Sequence, residues 1–390
     1  MTTYIMERAY FDWNAGAPLR DDARTAMAEA LGLIGNPSSI HSEGRAVKRL
    51  VERARELVAR LVGAEPRNVI FTSGATEANT LALTPAVEVG GKKALRDRLF
   101  VSAVEHPSVR CGGRFAAADL QELPVDKDGT LDLSALGQAL SGSAWPLVSV
   151  MLANNETGVI QPIAEIAEIV HAANGLLHVD AVQGPGRIDC DIENLGADLM
   201  SLSSHKLGGP QGAGALIHRD DIRIADPLLK GGGQERGQRA GTENVAAISG
   251  FGAAAAIAGK TEVARLATLR DRIETGIKAI APQAVIFGES VLRLPNTTLF
   301  AVPGMKAETA IIAFDLNGIA VSSGSACSSG KVQPTHVLAA MGVEPALAQG
   351  AVRVSLGWST TERDVEKLLD ALTNVSSSLL KRHTISGLAA

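Results

Sequence analysis

With 390 residues the chain exceeds what one hydrophobic core usually organises, so two domains are expected. Hydrophobic residues make up 46% and charged residues 20%, the balance of a globular protein and not of a disordered chain. A net charge of −5 leaves no electrostatic footprint for nucleic acid or an anionic membrane surface.

The start, Met1 to Tyr10, has no basic segment leading into an apolar core, so no signal peptide is expected. Residues 68–72 read as an apolar strand that turns at Ser73-Gly74 into a helix from Ala75 to about Val87. Residues 99–104 form the next strand, ending at Glu105-His106-Pro107 before another helical segment. Residues 147–152 end at Asn154-Asn155-Glu156, and Pro162 opens a helix through Ala173. Strands ending at Asp180 and at Leu202, and a further one over 214–217, complete the set; 246–258 reads as a buried helix. Near-continuous apolar strands alternating with helices predict an α/β fold, a mostly parallel sheet covered by helices on both faces.

From about residue 259 the pattern changes. A charged helix over 262–280 precedes strand candidates at 297–302, 319–322 and 351–356, separated by helices at 306–316, 334–341 and 361–379. The expected organisation is a large domain over 16–258 and a smaller α+β domain built from 1–15 with 259–390. Residues 231–236 are the one conspicuous flexible loop. No stretch reaches the ~18 charge-free apolar residues of a membrane span, so a soluble cytoplasmic protein is expected.

Ligands of such sheets bind beyond the carboxyl ends of the strands, where His106, Asn155, Asp180, His205 and Lys206 all fall. An amine held in a turn, as at Lys206, can form a Schiff base with an aldehyde cofactor. A carboxylate at a strand end, as at Asp180, can hold a pyridine nitrogen; pyridoxal phosphate asks its protein for both. Either residue alone is more often an ordinary surface or turn group. The junction 72–77 can aim helix N–H groups and the Thr76 hydroxyl at a phosphate, or be an ordinary N-cap. It is neither a Walker A loop nor a GxGxxG fingerprint, which counts against nucleotide hydrolysis and nicotinamide binding. His106 could stack on a planar cofactor or carry protons, or simply be a hydrogen-bonded structural residue. Gln183 could face the same ligand, or be a solvated loop amide. Arg353 interrupts an apolar strand; a bidentate clamp on a substrate carboxylate or an internal salt bridge would each satisfy it.

The three cysteines, Cys111, Cys190 and Cys327, lie far apart without a CxxC pair, which argues against a disulfide framework or structural zinc and suits a reducing compartment. Cys327 sits among serines and glycines in 321–330, a composition that predicts an exposed, mobile loop over 322–331 and a working thiol. Cys111 and Cys190 read as structural.

Together these residues resemble the cysteine desulfurases, fold-type-I pyridoxal-phosphate enzymes of the class V aminotransferase family. The most telling pieces are Gly35-Asn36-Pro37-Ser38-Ser39-Ile40-His41, residues 72–77, Glu105-His106-Pro107 and Asn154-Asn155-Glu156-Thr157-Gly158. To these are added residues 178–183, Ser204-His205-Lys206, Arg239-Ala240-Gly241-Thr242 and Gly324-Ser325-Ala326-Cys327. The serine-rich loop is similar to the branch serving iron–sulfur cluster assembly, including nitrogenase-type enzymes.

The resemblance implies pyridoxal 5'-phosphate bound through Lys206, with Asp180 on the ring nitrogen, Gln183 on the phenolic oxygen, and His106 stacked on the ring and shuttling protons. It implies Ala75, Thr76, Ser203 and His205 on the phosphate, with Thr242 reaching the phosphate of a neighbouring subunit and so a homodimer. Asn36, Asn155 and Arg353 would position L-cysteine, and Asn155 would also lie beside the ring. Cys327 would take the sulfur as a persulfide, releasing L-alanine, and pass it to an iron–sulfur scaffold or sulfur carrier. No resident metal is implied, although Cys327 could transiently ligate a cluster shared with a scaffold. The alternatives are a selenocysteine lyase or related β-eliminating enzyme, and a sulfur-delivery subunit without catalysis, against which Lys206, Asp180 and His106 argue. The chain departs from the family pattern at Asn14-Ala15-Gly16-Ala17-Pro18 and over 181–187, where Thr or Ser and Lys are more usual.

Overall fold

The computed structural model describes residues 8–259, 262–324 and 335–386. The chain enters through β1 (Ala9–Tyr10), α1 (Asp21–Leu31) and α2 (Ser42–Leu61). In α2, Val47, Val51, Ala54 and Val58 recur at helical spacing and are buried, while the His41 ring caps the N-terminus by accepting from Gly44 N–H. Next come β2 (Val69–Thr72), α3 (Ala75–Ala82), the hairpin β3 (Ala86–Val89) and β4 (Lys92–Leu95), β5 (Arg98–Ser102) and α4 (Pro107–Arg110). The chain continues through β6 (Leu120–Leu123), α5 (Leu133–Leu140), β7 (Pro146–Met151), α6 (Ile163–Ala172), β8 (Leu176–Asp180) and β9 (Leu199–Ser203). β10 (Gly214–His218), β11 (Ile222–Ile224) and α7 (Val245–Ile257) close this part.

β2-β10-β9-β8-β7-β5-β6 form one seven-stranded sheet. Its pairs are parallel except the two made by β10, which runs antiparallel to both β2 and β9. Alternate residues serve two cores: Phe71, Val148, Val179 and Leu202 face the cluster with α2, α6 and α7, while Ile70, Leu147, Leu176 and Leu199 face the cluster with α3. Burial on both faces is why these strands read as unbroken apolar runs. α7 is buried along most of its length, as its alanine-rich sequence predicts.

Three sequence expectations are corrected here. The helix from Ala75 stops at Ala82, because Pro85 follows closely, and Val87 instead enters the hairpin that joins β11 in a three-stranded sheet. Strand 99–104 ends at Ser102, and the helical segment after it is a single turn. The loop over 231–236 is fastened: Glu235 is buried and takes two hydrogen bonds from Arg55 and one from Phe71 N–H.

The remaining chain folds as α8 (Val263–Ile280), β12 (Val285–Ile286), β13 (Thr297–Ala301), α9 (Ala307–Leu316), β14 (Ile319–Ala320) and β15 (Ser322–Ser323). It ends with α10 (His336–Ala340), α11 (Pro345–Ala348), β16 (Val352–Ser355) and α12 (Glu362–Ser386). β12-β13-β16-β15 form an antiparallel sheet, and the strand expected over 319–322 breaks into β14 and β15. β1 pairs with β14, and Ala9 and Phe11 enter the core made by α8, α9 and α12. Residues 9–11 therefore pack with the C-terminal elements.

Candidate active site

β9 ends at Ser203 and a single 3-10 turn carries Ser204, His205 and Lys206. The Lys206 amine donates to the carbonyls of Asn14, at 2.6 Å, and Ala15, at 2.8 Å. Asn14 is itself buried, with its side-chain amide donating to Thr297 Oγ1 and the Asn155 carbonyl and its N–H donating to Ser355 Oγ. The same Asn14 carbonyl accepts from Gln183 Nε2 at 3.1 Å. The segment where the chain departs from the family pattern thus grips the lysine through its main chain. Gln183 is 4% exposed, which rules out a solvated loop amide.

Register places Asp180, the last residue of β8, opposite Ser201 of β9 and Met151 of β7. Its carboxylate accepts from Val182 N–H and, at 2.9 Å, from Asn79 Nδ2 on α3. Asn79 Nδ2 also donates to Ser108 Oγ at 2.9 Å, and Ser108 Oγ lies 2.8 Å from His106 Nδ1. His106 is not on a strand but caps α4, its Nδ1 accepting from Ser108 N–H. A continuous chain of polar contacts therefore joins Asp180 to His106.

A second cluster forms around Gly214, which pairs with Thr72 of β2 on one side and Ser203 of β9 on the other. A Cβ at 214 would stand 2.5 Å from the Gly74 carbonyl carbon, so only glycine lets the turn into α3 fold over β10. Gly74 precedes α3 without a side-chain cap and has open space on its Cβ side, leaving the first N–H groups of the helix uncovered. Ala75 and Thr76 open that helix, and Ser203 Oγ contacts His205 Nδ1 at 3.2 Å beside it. Burial and the neighbouring Lys206 charge lower His205 to about 4, so it is neutral near pH 7. Helix N–H groups, hydroxyls and a neutral imidazole are a donor set suited to a phosphate.

Arg353, 2% exposed on β16, donates to Asp12 Oδ1 at 2.7 Å and to the Asn155 carbonyl at 3.0 Å. An internal salt bridge is therefore present, yet the buried Arg353 Nε has no partner among the described residues. Next to Asn155, the buried Glu156 carboxyl is pushed up by burial; it bonds the Thr335 side chain, and a Cβ on Gly324 would lie 2.5 Å from its Oε2. Gly324 and Thr335 thus meet one carboxyl group beside Asn155.

Cys327 lies outside the described residues, as does the expected mobile loop except at its start, where Ser322 and Ser323 are buried in β15. Asn36 and Thr242 are exposed; Asn36 makes a local turn, accepting from Ser38 N–H, and no described contact brings it to Lys206. Cys190 is buried, but Cys111 is exposed, because it caps the C-terminus of the one-turn α4.

Four contributors escaped the sequence reading. Asn79 and Ser108 look like routine residues of helical segments, and Asn14 stands out only as part of the stretch that departs from the family pattern. Arg187 is buried and pairs with no carboxylate among the described residues: it donates to the Gln183 side-chain oxygen and approaches the Lys206 carbonyl, and burial plus the Arg353 charge lower it to about 10. Its position in a stretch already noted as departing from the family was the available signal. Glu105 is also fully buried, taking a hydrogen bond from Met151 N–H, and burial followed by the Asp180 charge holds it well above the usual carboxylate range.

An amine, a buried carboxylate and a phosphate-type cradle at adjacent strand ends are the features that a pyridoxal-phosphate protein of fold type I requires. Residues 9–368 match the family Aminotransferase class-V, and the chain belongs to it. It is 42% identical to a cysteine desulfurase of Cereibacter sphaeroides over 380 residues, 96% of this chain and 97% of that protein. It is 39% identical to the cysteine desulfurase NifS of Azotobacter vinelandii, covering 96% of this chain and 94% of the relative. Among solved structures it resembles a NifS-like protein from Rickettsia africae, with a TM-score of 0.85, 35% identity and coverage of 95% and 99% of the two chains. The cofactor of the family is pyridoxal phosphate, and the donor set at Lys206, Asp180 and Gly74 fits it.

Proposed function

We propose that this chain is a cysteine desulfurase that moves the sulfur of L-cysteine to Cys327 and then to an acceptor for iron–sulfur or other sulfur-containing cofactor synthesis. The observation that carries this reading is the Lys206 amine, three residues beyond β9, held beside Gln183 and one strand from Asp180.

When bound, pyridoxal phosphate supplies an aldehyde for an amine and an electron-accepting ring. Lys206 would hold the aldehyde, and its amine would serve as the base for the substrate α-proton. Asp180 would hold the ring nitrogen in its protonated form, and Gln183 would donate to the phenolic oxygen. His106 would stack on the ring and carry protons. Ala75, Thr76, Ser203 and His205 bind the phosphate, with Thr242 supplied across a homodimer interface. Asn36 and Asn155 position the substrate. Arg353 takes the substrate carboxylate: a buried donor without an acceptor costs about 1–3 kcal/mol, which an incoming carboxylate at Nε removes. The Cys327 thiolate attacks the substrate sulfur; the S–S bond forms as the C–S bond breaks, and the carbon skeleton leaves as L-alanine once a proton is returned to it. Cys327 follows Gly324 by three positions, which an extended chain spans in about 10 Å. The large domain over 16–258 would carry the cofactor, and 1–15 with 259–390 the thiol.

The test is turnover of L-cysteine with alanine and sulfide both measured. Wild-type protein should make alanine, Lys206→Ala none, and Cys327→Ala should keep its visible absorbance while losing sulfide release. Full activity on selenocysteine, with none on cysteine, would instead assign a selenocysteine lyase.

A further inference from the structure

Asn79 is fully buried, and its amide is the middle of the chain from Asp180 to His106. The direction of each hydrogen bond in that chain follows from chemistry. An ionised carboxylate only accepts, so Asn79 turns Nδ2 and not Oδ1 to Asp180. The second hydrogen on Nδ2 goes to Ser108 Oγ. That hydroxyl has one hydrogen of its own, and His106 Nδ1 lies 2.8 Å from it. Ser108 N–H is aimed at the same Nδ1 at 3.2 Å. Two donors converge on Nδ1, so Nδ1 carries no hydrogen and the ring proton sits on Nε2.

We propose that Asn79 and Ser108 are positioning residues that fix His106 as the Nε2–H tautomer and tie that choice to the Asp180 carboxylate. A proton carried by His106 then enters and leaves at Nε2 alone, since Nδ1 is committed to Ser108. Asn79 stands one turn beyond the helix start that would bind phosphate, so one short helix serves both the phosphate and the ring. The tautomer follows from the contacts themselves; its catalytic use rests on the reading of His106 and Asp180 as cofactor contacts.

The experiment is a long-range proton–nitrogen correlation spectrum of cofactor-containing protein labelled with ¹⁵N at histidine. Eight histidines give eight ring patterns, so His106→Gln identifies the one that matters. In the wild type Nδ1 of His106 should resonate as unprotonated and Nε2 as protonated. Ser108→Ala should give a mixture of tautomers, because one of the two donors that hold Nδ1 unprotonated is lost. Asn79→Ala should shift the tautomer in the same direction, since the Ser108 hydroxyl becomes free to turn and accept from Nδ1. In a Ser108→Ala background Asn79→Ala should add nothing to the tautomer shift, which a general loosening of the fold would not reproduce. A protonated Nδ1 in the wild type, an unchanged tautomer in Ser108→Ala, or additive effects in the double variant would overturn the proposal. The cofactor reading fails separately, if the wild type shows no visible band that Lys206→Ala removes.

Discussion

The main-chain carbonyl of Asn14 accepts a hydrogen bond of 2.6 Å from the Lys206 amine across 192 residues of sequence. The contact uses no side chain of the N-terminal segment, so that segment can differ from its relatives and still hold the lysine. What fixes the carbonyl is the Asn14 side chain, which bonds Thr297 and Asn155 inside the protein.

Asn14→Ala leaves those buried partners unsatisfied and should lower stability by about 1–3 kcal/mol. It should also slow the growth of the visible band when cofactor-free protein is mixed with pyridoxal phosphate. Ala15→Ser, which changes only a side chain, should leave both measurements unchanged. An unaltered unfolding midpoint in Asn14→Ala would count against this anchoring role.

Glu105 gives a pH-dependent prediction. Burial and the Asp180 charge hold its folded-state carboxyl protonated above the ordinary value of 4.5. Above that value the unfolded chain releases a proton the folded protein keeps, so this group makes stability fall as pH rises. Glu105→Gln keeps the neutral shape and removes the titration. Denaturant unfolding between about pH 5 and about pH 8 should show a smaller loss of stability in Glu105→Gln than in the wild type. Parallel curves would mean that Glu105 is ionised in the folded protein.

His178 acts in the opposite sense. It is sealed between Ser149 and Ser201, and burial lowers it to about 4 from 6.5. Between those values the unfolded chain binds a proton that the folded protein excludes, so stability drops as the solution is acidified through this window. The expected slope is on the order of 1 kcal/mol per pH unit, and His178→Gln should reduce it. Acid unfolding followed by circular dichroism would read the difference; an unchanged slope would contradict it.

Glu235 and Arg236 hold left-handed backbone, with φ of 46° and 56°, beside the buried pair of Glu235 and Arg55. Arg55→Met leaves the buried Glu235 charge without its cation and should cost about 3–5 kcal/mol in denaturant unfolding, whereas Glu235→Gln should cost less, because Arg55 keeps Glu52 at 3.3 Å. The double variant should cost less than the sum of the two. Additive losses would show that the pair does not act as a unit.

Much of this was readable before the fold was known. Strands apolar on both faces announced the central sheet, and its strand ends pointed to Asp180 and Lys206. The hairpin over Ala86–Leu95 was missed although Gly90-Gly91, both at positive φ, stands between two short runs in the manner of a tight turn. The reversed direction of β10 was not readable, because an apolar run has no polarity until its neighbours are known. Asn79, Ser108 and Asn14 stayed hidden for a related reason: their partners lie far along the chain, and only the sheet order brings them together. Arg353 was left between two readings, and the structure shows an Asp12 bridge with one nitrogen still open.

The central claim is that sulfur leaves L-cysteine onto Cys327 while Lys206 handles the carbon skeleton. The most direct measurement is mass spectrometry of the peptide containing Cys327 after brief mixing with ³⁴S-labelled L-cysteine, with no reductant present. One added labelled sulfur on Cys327, matched by an equal amount of alanine and absent in Lys206→Ala, is the predicted result. Alanine formed at the wild-type rate with no label on Cys327, or in protein carrying Cys327→Ala, would contradict it.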